Sequence, residues 1–262
     1  MPEPQTRQQI SAFIVCMNEE RNIRRCLESI KWCDEIIVVD SGSTDETLSI
    51  CAEYTDKIFK RGWPGFVEQK RFGLEQCSKQ WIFNIDADEE VSPELKAEML
   101  QVLEGRDPEI AGYDLNRVVF YLGKWWRSGG WHPEYRLRFA RRDKTTWGGK
   151  NPHEHAIVDG GTARLKGELH HFTYVDMAGQ VRTINSLSSA AAQTMYEDGK
   201  AASALNIFLN PCARFIKFYL LRKGYAEGFP GLIVAVFEAF YAFLKYAKLW
   251  ELHRRDSQKD PR

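Results

Sequence analysis

The chain has 262 residues, enough for one large domain or one domain with a smaller appendage. Its 36 Lys and Arg are balanced by 36 Asp and Glu, which excludes a globally basic nucleic-acid binder and a disordered polyelectrolyte. Hydrophobic residues make up 44% and charged residues 27%, as in soluble globular proteins, but eight tryptophans are many for this length.

In chain order, Ile10 to Cys16 reads as a short buried strand. Ile23, Cys26, Leu27 and Ile30 then form the i, i+3, i+4, i+7 stripe of an amphipathic helix. Glu35 to Val39 is β-branched and continuous, as strands buried on both faces tend to be, and ends at Asp40. Ser43-Thr44-Asp45-Glu46 has the pattern of a capping box, with Ser43 as N-cap of a helix presenting Leu48, Cys51 and Ala52. A short strand at 57–60 and a helix from about Pro64 to Cys77 follow. Trp81 to Ile85 is a further strand, and Ser92-Pro93 opens a helix through Leu103, as N-cap and N1 proline. Strands alternating with helices predict an α/β fold with a mainly parallel sheet flanked by helices.

From Tyr113 the pattern changes. Asp114 to Leu122 and Tyr135 to Ala140 are β-rich, and Trp125, Trp126, Trp131 and Trp147 cluster with glycines. Four of the six histidines lie between Asn151 and His171. Asp176 to Lys200 reads as helical, and 212–262 is a basic, aromatic tail with ten Lys or Arg against five Asp or Glu. Ile85 to Ile110 is acidic by contrast, so the zero net charge is a sum of opposites. The division expected is 1–175 and 176–262. The six cysteines contain no C-x-x-C and fall mostly in apolar stretches, the pattern of buried free thiols in a reducing compartment rather than a zinc site. The first residues lack the apolar core of a secretory signal.

Ligands of such sheets collect at the carboxyl ends of the strands. Three polar clusters fall there: Asn18-Glu19, Asp40-Ser41-Gly42-Ser43 and Asp86-Ala87-Asp88. Asp86 and Asp88, two residues apart, suit a hard divalent cation, Mg²⁺ or Mn²⁺, bridging to a diphosphate. For an isolated Asp-x-Asp a solvated turn is the better explanation, but the position directly after a buried strand reverses that preference in favour of the site. Asp40 at its strand end can accept hydrogen bonds from a base or ribose, and the turn it opens is at least partly a cap. Neither a P-loop nor a G-x-G-x-x-G is present.

Asn18-Glu19-Glu20, Ile36 to Asp45, Gln69-Lys70-Arg71 and Asn84 to Glu89, in this order, resemble the inverting glycosyltransferase family two with the GT-A fold. The resemblance implies a nucleotide-sugar donor and a divalent metal. It implies that Asn18, Glu19, Asp40, Ser41 and Lys70 lie near the donor, and that Asp86 and Asp88 form the metal and diphosphate motif. Leu137-Arg138-Phe139, Trp147-Gly148-Gly149, His153-Glu154 and His171-Phe172-Thr173-Tyr174 resemble the lipopolysaccharide core β-1,4-glucosyltransferase-like subgroup over nearly the whole chain. That implies transfer of a hexose, glucose from UDP-glucose, onto an inner-core sugar or related glycolipid. Cys16-Met17 departs from the family, where many members carry proline, and bears on nucleoside packing.

Inverting transfer is a single displacement needing one general base on the acceptor hydroxyl and no covalent nucleophile. Glu154, where the subgroup has its His-Glu, is the expected base, with Glu134 as second candidate. His171 is the expected third metal ligand by the resemblance. His153 and His155 would share a strand face, which keeps zinc chemistry in view, but the spacing is not His-Glu-x-x-His. In the glycine-rich stretch Trp125 to Trp131, Trp126 and Trp131 are candidates to stack on an acceptor sugar, and Arg138, Arg127 or Arg136 to meet acceptor phosphates. The tail's apolar stretch is too short to span a bilayer and is divided by Glu238. It fits an in-plane helix pair on a membrane surface, peripheral on the cytoplasmic face of the inner membrane, or a hairpin packed on the domain or between subunits. A nucleotidyltransferase of nucleotide-sugar metabolism and a non-catalytic glycan-binding protein are the alternatives. The first usually opens on a glycine-rich activating loop, which 10–20 lacks.

Overall fold

The computed structural model describes residues 7–105, 107, 109–150, 153–174 and 176–259. The chain forms two compact units, one reaching to Val118 and including Glu134–Phe172, the other built from Val119–Pro133 and the chain from Thr173 on. The observed division therefore differs from the expected 1–175 and 176–262 by assigning 119–133, and the chain from Thr173, to the second unit. The cause is aromatic burial: Val119, Tyr121 and Trp126 share a core with Phe218, Val234 and Ala235.

The first unit begins β1 (Ile10–Cys16), α1 (Ile23–Ile30), β2 (Glu35–Asp40), α2 (Thr47–Ala52), β3 (Ile58–Lys60), α3 (Phe66–Gln76), β4 (Trp81–Asn84), β5 (Glu89–Val91) and α4 (Pro93–Glu104). It continues with β6 (Ile110–Tyr121), whose last residues pair with β7 (Lys124–Trp125) of the second unit's segment. β8 (Glu134–Arg141), β9 (Thr145–Lys150), β10 (His153–Val158) and β11 (Gly161–His171) complete it. The sheet runs β3-β2-β1-β4-β8-β6-β11-β5, and β9 and β10 form a separate antiparallel pair. Its first four strands are parallel, as the βα alternation requires. From β8 onward the pairings β4–β8, β8–β6 and β11–β5 are antiparallel. The sheet is thus mixed, with a parallel first half of the kind the sequence implied.

Local chemistry explains most boundaries. The α1 stripe Ile23, Cys26, Leu27 and Ile30 is buried as its spacing predicts, each large apolar side chain contributing about 1.5–3 kcal/mol by leaving water. Ser92 caps α4, accepting from Leu95 N at 3.1 Å with Pro93 in the first turn. The capping box expected at Ser43 does not form. α2 starts at Thr47, Ser43 Oγ accepts from Asn18 N at 2.9 Å, and Asp45 Oδ1 accepts from Thr47 N at 3.0 Å. The loop's polar groups are spent on tying the β1–α1 and β2–α2 turns together. All six cysteines are free thiols, and four of them are buried.

β2 is buried throughout, including Glu35. Ser78 donates to its carboxylate from N and Oγ, each at 2.8 Å, and Lys57 and Ser11 donate as well. Burial pushes the carboxyl up, but these donors outweigh it and bring it down from the ordinary 4.5 to about 2. A carboxylate depressed in the folded state stabilises above its unfolded pKa, and that stability is lost as pH falls towards the folded value. Between about pH 5 and about pH 2 the unfolding free energy is expected to lose about 3 kcal/mol through this group. Chemical denaturation of Glu35→Gln should show a shallower acid dependence than the parent, and parallel curves would contradict the assignment.

The second unit is helical: α5 (Met177–Glu197), α6 (Ala204–Ile216) and α7 (Phe229–Lys259), with a π-helical stretch Lys217–Leu221 between the last two. Asp176 caps α5 through Gly179 N at 2.6 Å, and Ser203 and Asn206 form a capping box on α6. Buried Glu227 accepts from Arg127 N at 3.0 Å and Ser128 Oγ at 2.7 Å and pairs with Lys124, so the 124–131 segment is firmly anchored. No helix among the described residues is long and apolar enough to cross a membrane.

Candidate active site

The turn after β4 carries the Asp-Ala-Asp motif, and Glu89 pins it by accepting from Asp86 N at 2.9 Å. β11 pairs with β5 in the register His171↔Glu89, which brings His171 back to this turn. Its Nε2 lies 3.2 Å from Asp88 Oδ2. Phe172 N donates to Asp88 O at 2.9 Å, and the Phe172 ring lies under the Arg25 guanidinium at 3.5 Å.

Asp86 faces two cations. Lys70 from α3, itself buried, donates to it and to Asn84 Oδ1 at 3.0 Å. Arg138 from β8 pairs with Asp86 and approaches Glu89 Oε1 at 3.4 Å. Glu89 is fully buried and has Arg117 at 3.5 Å as a second partner. Glu134 then joins Arg117 and Arg136, each at 2.7 Å. Burial pushes the Asp86 carboxyl up, but Arg138 and Lys70 outweigh it and hold it well below the usual carboxylate range. Burial also raises Asp88, where His171 outweighs it, and Glu134, where Arg117 outweighs it; both end lowered. Glu19 goes the other way, raised by burial.

Two clefts meet at this turn. One, of about 380 Å³, includes Met17, Glu19, Ser41, Lys70 and Asp88, with Trp63 and Phe66. The other, of about 300 Å³, includes Arg117, Arg136, Arg138 and Trp147. Asp86 and Glu154 line both. Glu154 stands on β10 opposite Gly149 of β9, whose φ of 99° favours glycine and which leaves the carboxylate uncovered on that side. No hydrogen bond engages the Glu154 carboxylate among the described residues, whereas Glu134 is held by two guanidinium groups.

Of the residues singled out in the sequence, Glu19, Ser41, Lys70, Asp86, Asp88 and Glu154 thus converge on one cleft. Asn18 and Asp40 do not line it. Asn18 Oδ1 accepts from Thr44 N at 2.8 Å, and buried Asp40 accepts from Gly42 N at 3.0 Å and Ser43 N at 3.1 Å. They build the turns that carry the cleft wall. The expectation for Trp126 is corrected: it is fully buried, and its Nε1 donates to Tyr121 O at 2.9 Å, so it has no face for a sugar. Trp131 is half-buried against Tyr121, Trp126 and Phe218. The side chain of Arg138 is likewise committed, to Asp86, although it lines the second cleft. His170 lies 3.6 Å from Glu168, a structural pairing.

Among the described residues no three His, Cys, Asp or Glu groups stand together as a metal-ligand set; the His153 side chain lies outside those described. The expected set narrows to Asp88 and His171, because Asp86 is engaged by Lys70 and Arg138. Asp88 on the wall of the first cleft, with the His171 imidazole 3.2 Å from it, fits a divalent cation held by few protein ligands plus substrate phosphates.

Four contributors escaped the sequence reading. Trp63 and Phe66 form an exposed edge-to-face pair, with centroids 4.6 Å apart, on the first cleft. Their signal was Trp-Pro-Gly-Phe directly before a helix, a loop aromatic pair at a strand's carboxyl edge. Arg117 carries no local signal, and Glu89 stood in the Asn84 to Glu89 motif without a role of its own; strand pairing and burial create the roles of both.

Residues 11–162 match the family described as glycosyl transferase family 2. The lipopolysaccharide core biosynthesis glycosyltransferase LpsC of Rhizobium meliloti (strain 1021) is 35% identical over 93% of both chains. An uncharacterized glycosyltransferase of Rickettsia typhi (strain ATCC VR-144 / Wilmington) is 31% identical, covering 93% of this chain and 87% of that one. Among solved structures, the mannosyltransferase PcManGT from Pyrobaculum calidifontis, in complex with GDP-Man and Mn²⁺, superimposes with a TM-score of 0.52 at 16% identity, covering 96% of this chain and 90% of that one.

Proposed function

The chain belongs to glycosyl transferase family 2 and has the GT-A fold, and from that premise we propose that it moves a hexose, glucose from UDP-glucose, onto an inner-core sugar of lipopolysaccharide or a related glycolipid. Family membership displaces the nucleotidyltransferase and non-catalytic alternatives. One observation carries the reading: Asp86 and Glu154 line both clefts, so a place for a leaving diphosphate and a place for an attacking hydroxyl share a wall. LpsC, similar across 93% of its length, is named for lipopolysaccharide core biosynthesis, which supports the acceptor class.

The nucleoside diphosphate sugar occupies the cleft of Glu19, Ser41 and Lys70, with the faces of Trp63 and Phe66 available to the base. The acceptor enters the cleft of Arg117, Arg136 and Trp147. Glu154 takes the proton of the acceptor hydroxyl as its oxygen bonds to the anomeric carbon. The bond from that carbon to the phosphate oxygen breaks, and the nucleoside diphosphate leaves on the opposite face, inverting the centre. Asp86, fixed by Lys70 and Arg138, holds the turn so that Asp88 and His171 present their donors together. Mg²⁺ or Mn²⁺, when bound by Asp88 and His171, supplies charge neutralisation on the departing diphosphate. The exposed apolar residues of α6, with the basic groups beside them, support a peripheral site of action on the cytoplasmic face of the inner membrane.

Thermal unfolding with a panel of nucleotide sugars and Mn²⁺ tests the donor and the metal together. UDP-glucose at about a hundred times its Kd is expected to raise Tm by about 5 °C. Chelation or Asp88→Asn should remove most of the shift. A larger shift from a different nucleotide sugar would reassign the donor, and an unchanged shift under chelation would remove the metal from the reading.

A further inference from the structure

A small cavity of about 110 Å³ lies wholly within the second unit, away from the two clefts in sequence and chemistry. Its lining includes Trp131, Arg214, Lys217, Arg222 and Glu238. That is three cations against one carboxylate. Arg214 Nη2 takes up the Glu238 charge at 2.6 Å. Arg222 is braced, its Nη1 donating to Gly130 O at 3.3 Å, and a Cβ at Gly130 would come within 2.6 Å of that atom. The glycine thus lets the guanidinium lie flat against the backbone. No hydrogen bond or ion pair engages the Lys217 side chain among the described residues. The cavity has about four times the ~30 Å³ share of one water, room for a compact anionic group.

The surrounding surface is apolar. Leu205, Phe208, Leu209, Ile216 and Leu220 follow one another at helical spacing along α6 and its π-helical continuation. Leu205 and Phe208 are each 68% exposed, and Leu221, next to Arg222, is 74% exposed. Contiguous exposure of this kind marks an interaction face. π-helical turns within α-helices occur often at functional sites, and this one carries Lys217 into the cavity lining.

We propose that the Trp131–Lys217–Arg222 cavity binds the phosphate of an anionic phospholipid headgroup, while the α6 stripe lies in the acyl boundary of the same leaflet. The inference rests on the membrane-surface reading above and adds to it a defined headgroup site. Charge complementarity selects this occupant. A second copy of the chain pairing through this face would bring Lys217 and Arg222 towards their own counterparts, which repel. A bilayer with anionic headgroups offers hydrocarbon to the stripe and phosphate to the cations.

Co-sedimentation of the full chain with vesicles tests it. Vesicles of phosphatidylcholine with phosphatidylglycerol should bind it better than phosphatidylcholine alone. Lys217→Gln/Arg222→Gln should lower binding to the anionic vesicles by well over the roughly thirtyfold that two generic surface charges account for, whereas Lys223→Gln, on the same segment but outside the cavity, should lower it by no more than about fivefold. Leu205→Ser/Phe208→Ser should lower binding to both vesicle types. Exposed Lys217 has no structural partner, so Lys217→Gln alone keeps the test open if the double variant unfolds. Equal binding to both vesicles, or a loss from Lys223→Gln equal to that from Arg222→Gln, overturns the headgroup site while leaving surface association standing. No binding to either vesicle overturns both readings, and so does a dimer in sedimentation equilibrium that Phe208→Ser dissociates.

Discussion

Replacing Glu154 by glutamine is expected to lower sugar transfer by about 10² to 10⁴, the usual contribution of a positioned general base, with donor affinity nearly unchanged. The asymmetry follows from geometry. Glu154 faces a glycine across the β9–β10 pair and lines both clefts, but no hydrogen bond or ion pair among the described residues engages its carboxylate, and Arg138, which feels its charge, is held by Asp86 and Glu89. Removing its charge leaves no buried partner stranded, so folding should be preserved. The amide keeps the shape of the carboxylate and loses only the ability to accept a proton. Glu134→Gln makes the informative comparison. Glu134 bridges Arg117 and Arg136, and losing it frees two cations beside the second cleft. Its effect should appear first as a changed acceptor KM. If initial-rate kinetics gave Glu154→Gln a kcat within a few-fold of the parent, the proton acceptor would have to be sought elsewhere.

Much of this arrangement was legible in the sequence, and the limits have physical causes. The parallel half of the sheet followed from β-branched runs ending at polar clusters, because burial on both faces and the strand-end site leave compositional traces. The stripe of α1 and the Ser92 cap followed from spacing and local hydrogen bonding. Local rules failed where a tertiary partner competed for the same group. Ser43 looked like a cap, but the Asn18 amide takes its hydroxyl. Asp40, expected near the donor, also accepts from its own turn, at Gly42 N and Ser43 N, which is a local role the same residues allowed. Trp126 looked like a loop aromatic, but the second unit's core absorbs it. Asp86 and Glu89 stood side by side in one acidic, site-like motif, with nothing to distinguish them. Burial divides their roles, with Asp86 on the cleft wall and Glu89 beneath it under two arginines. Nothing in a linear acidic segment announces that its charges will be compensated from strands thirty to fifty residues away.

That compensation makes Arg138→Met the substitution with the largest expected cost to stability. The guanidinium pairs with Asp86 and Glu89, and methionine replaces its volume without its charge. Truncating one partner of a buried ion pair typically costs about 3–5 kcal/mol, because the remaining charge stays desolvated. Lys70 still serves Asp86 and Arg117 still reaches Glu89 at 3.5 Å, which places the expected loss near the lower end, about 3 kcal/mol. The pH dependence separates this cause from simple repacking. Arg138 helps hold the Asp86 carboxyl below its ordinary range, so its contribution is present above the unfolded aspartate pKa and is lost as pH falls through the folded value. The stability gap between Arg138→Met and the parent should therefore narrow as denaturation is measured at progressively lower pH. A gap constant across the acid range would mean that lost packing, not lost charge, destabilises the variant. Donor binding supplies an independent readout. With Asp86 no longer clamped from β8, the turn that presents Asp88 loses one of its two cationic supports. Metal-dependent donor binding should weaken even in the folded fraction, whereas a change confined to packing would leave it intact.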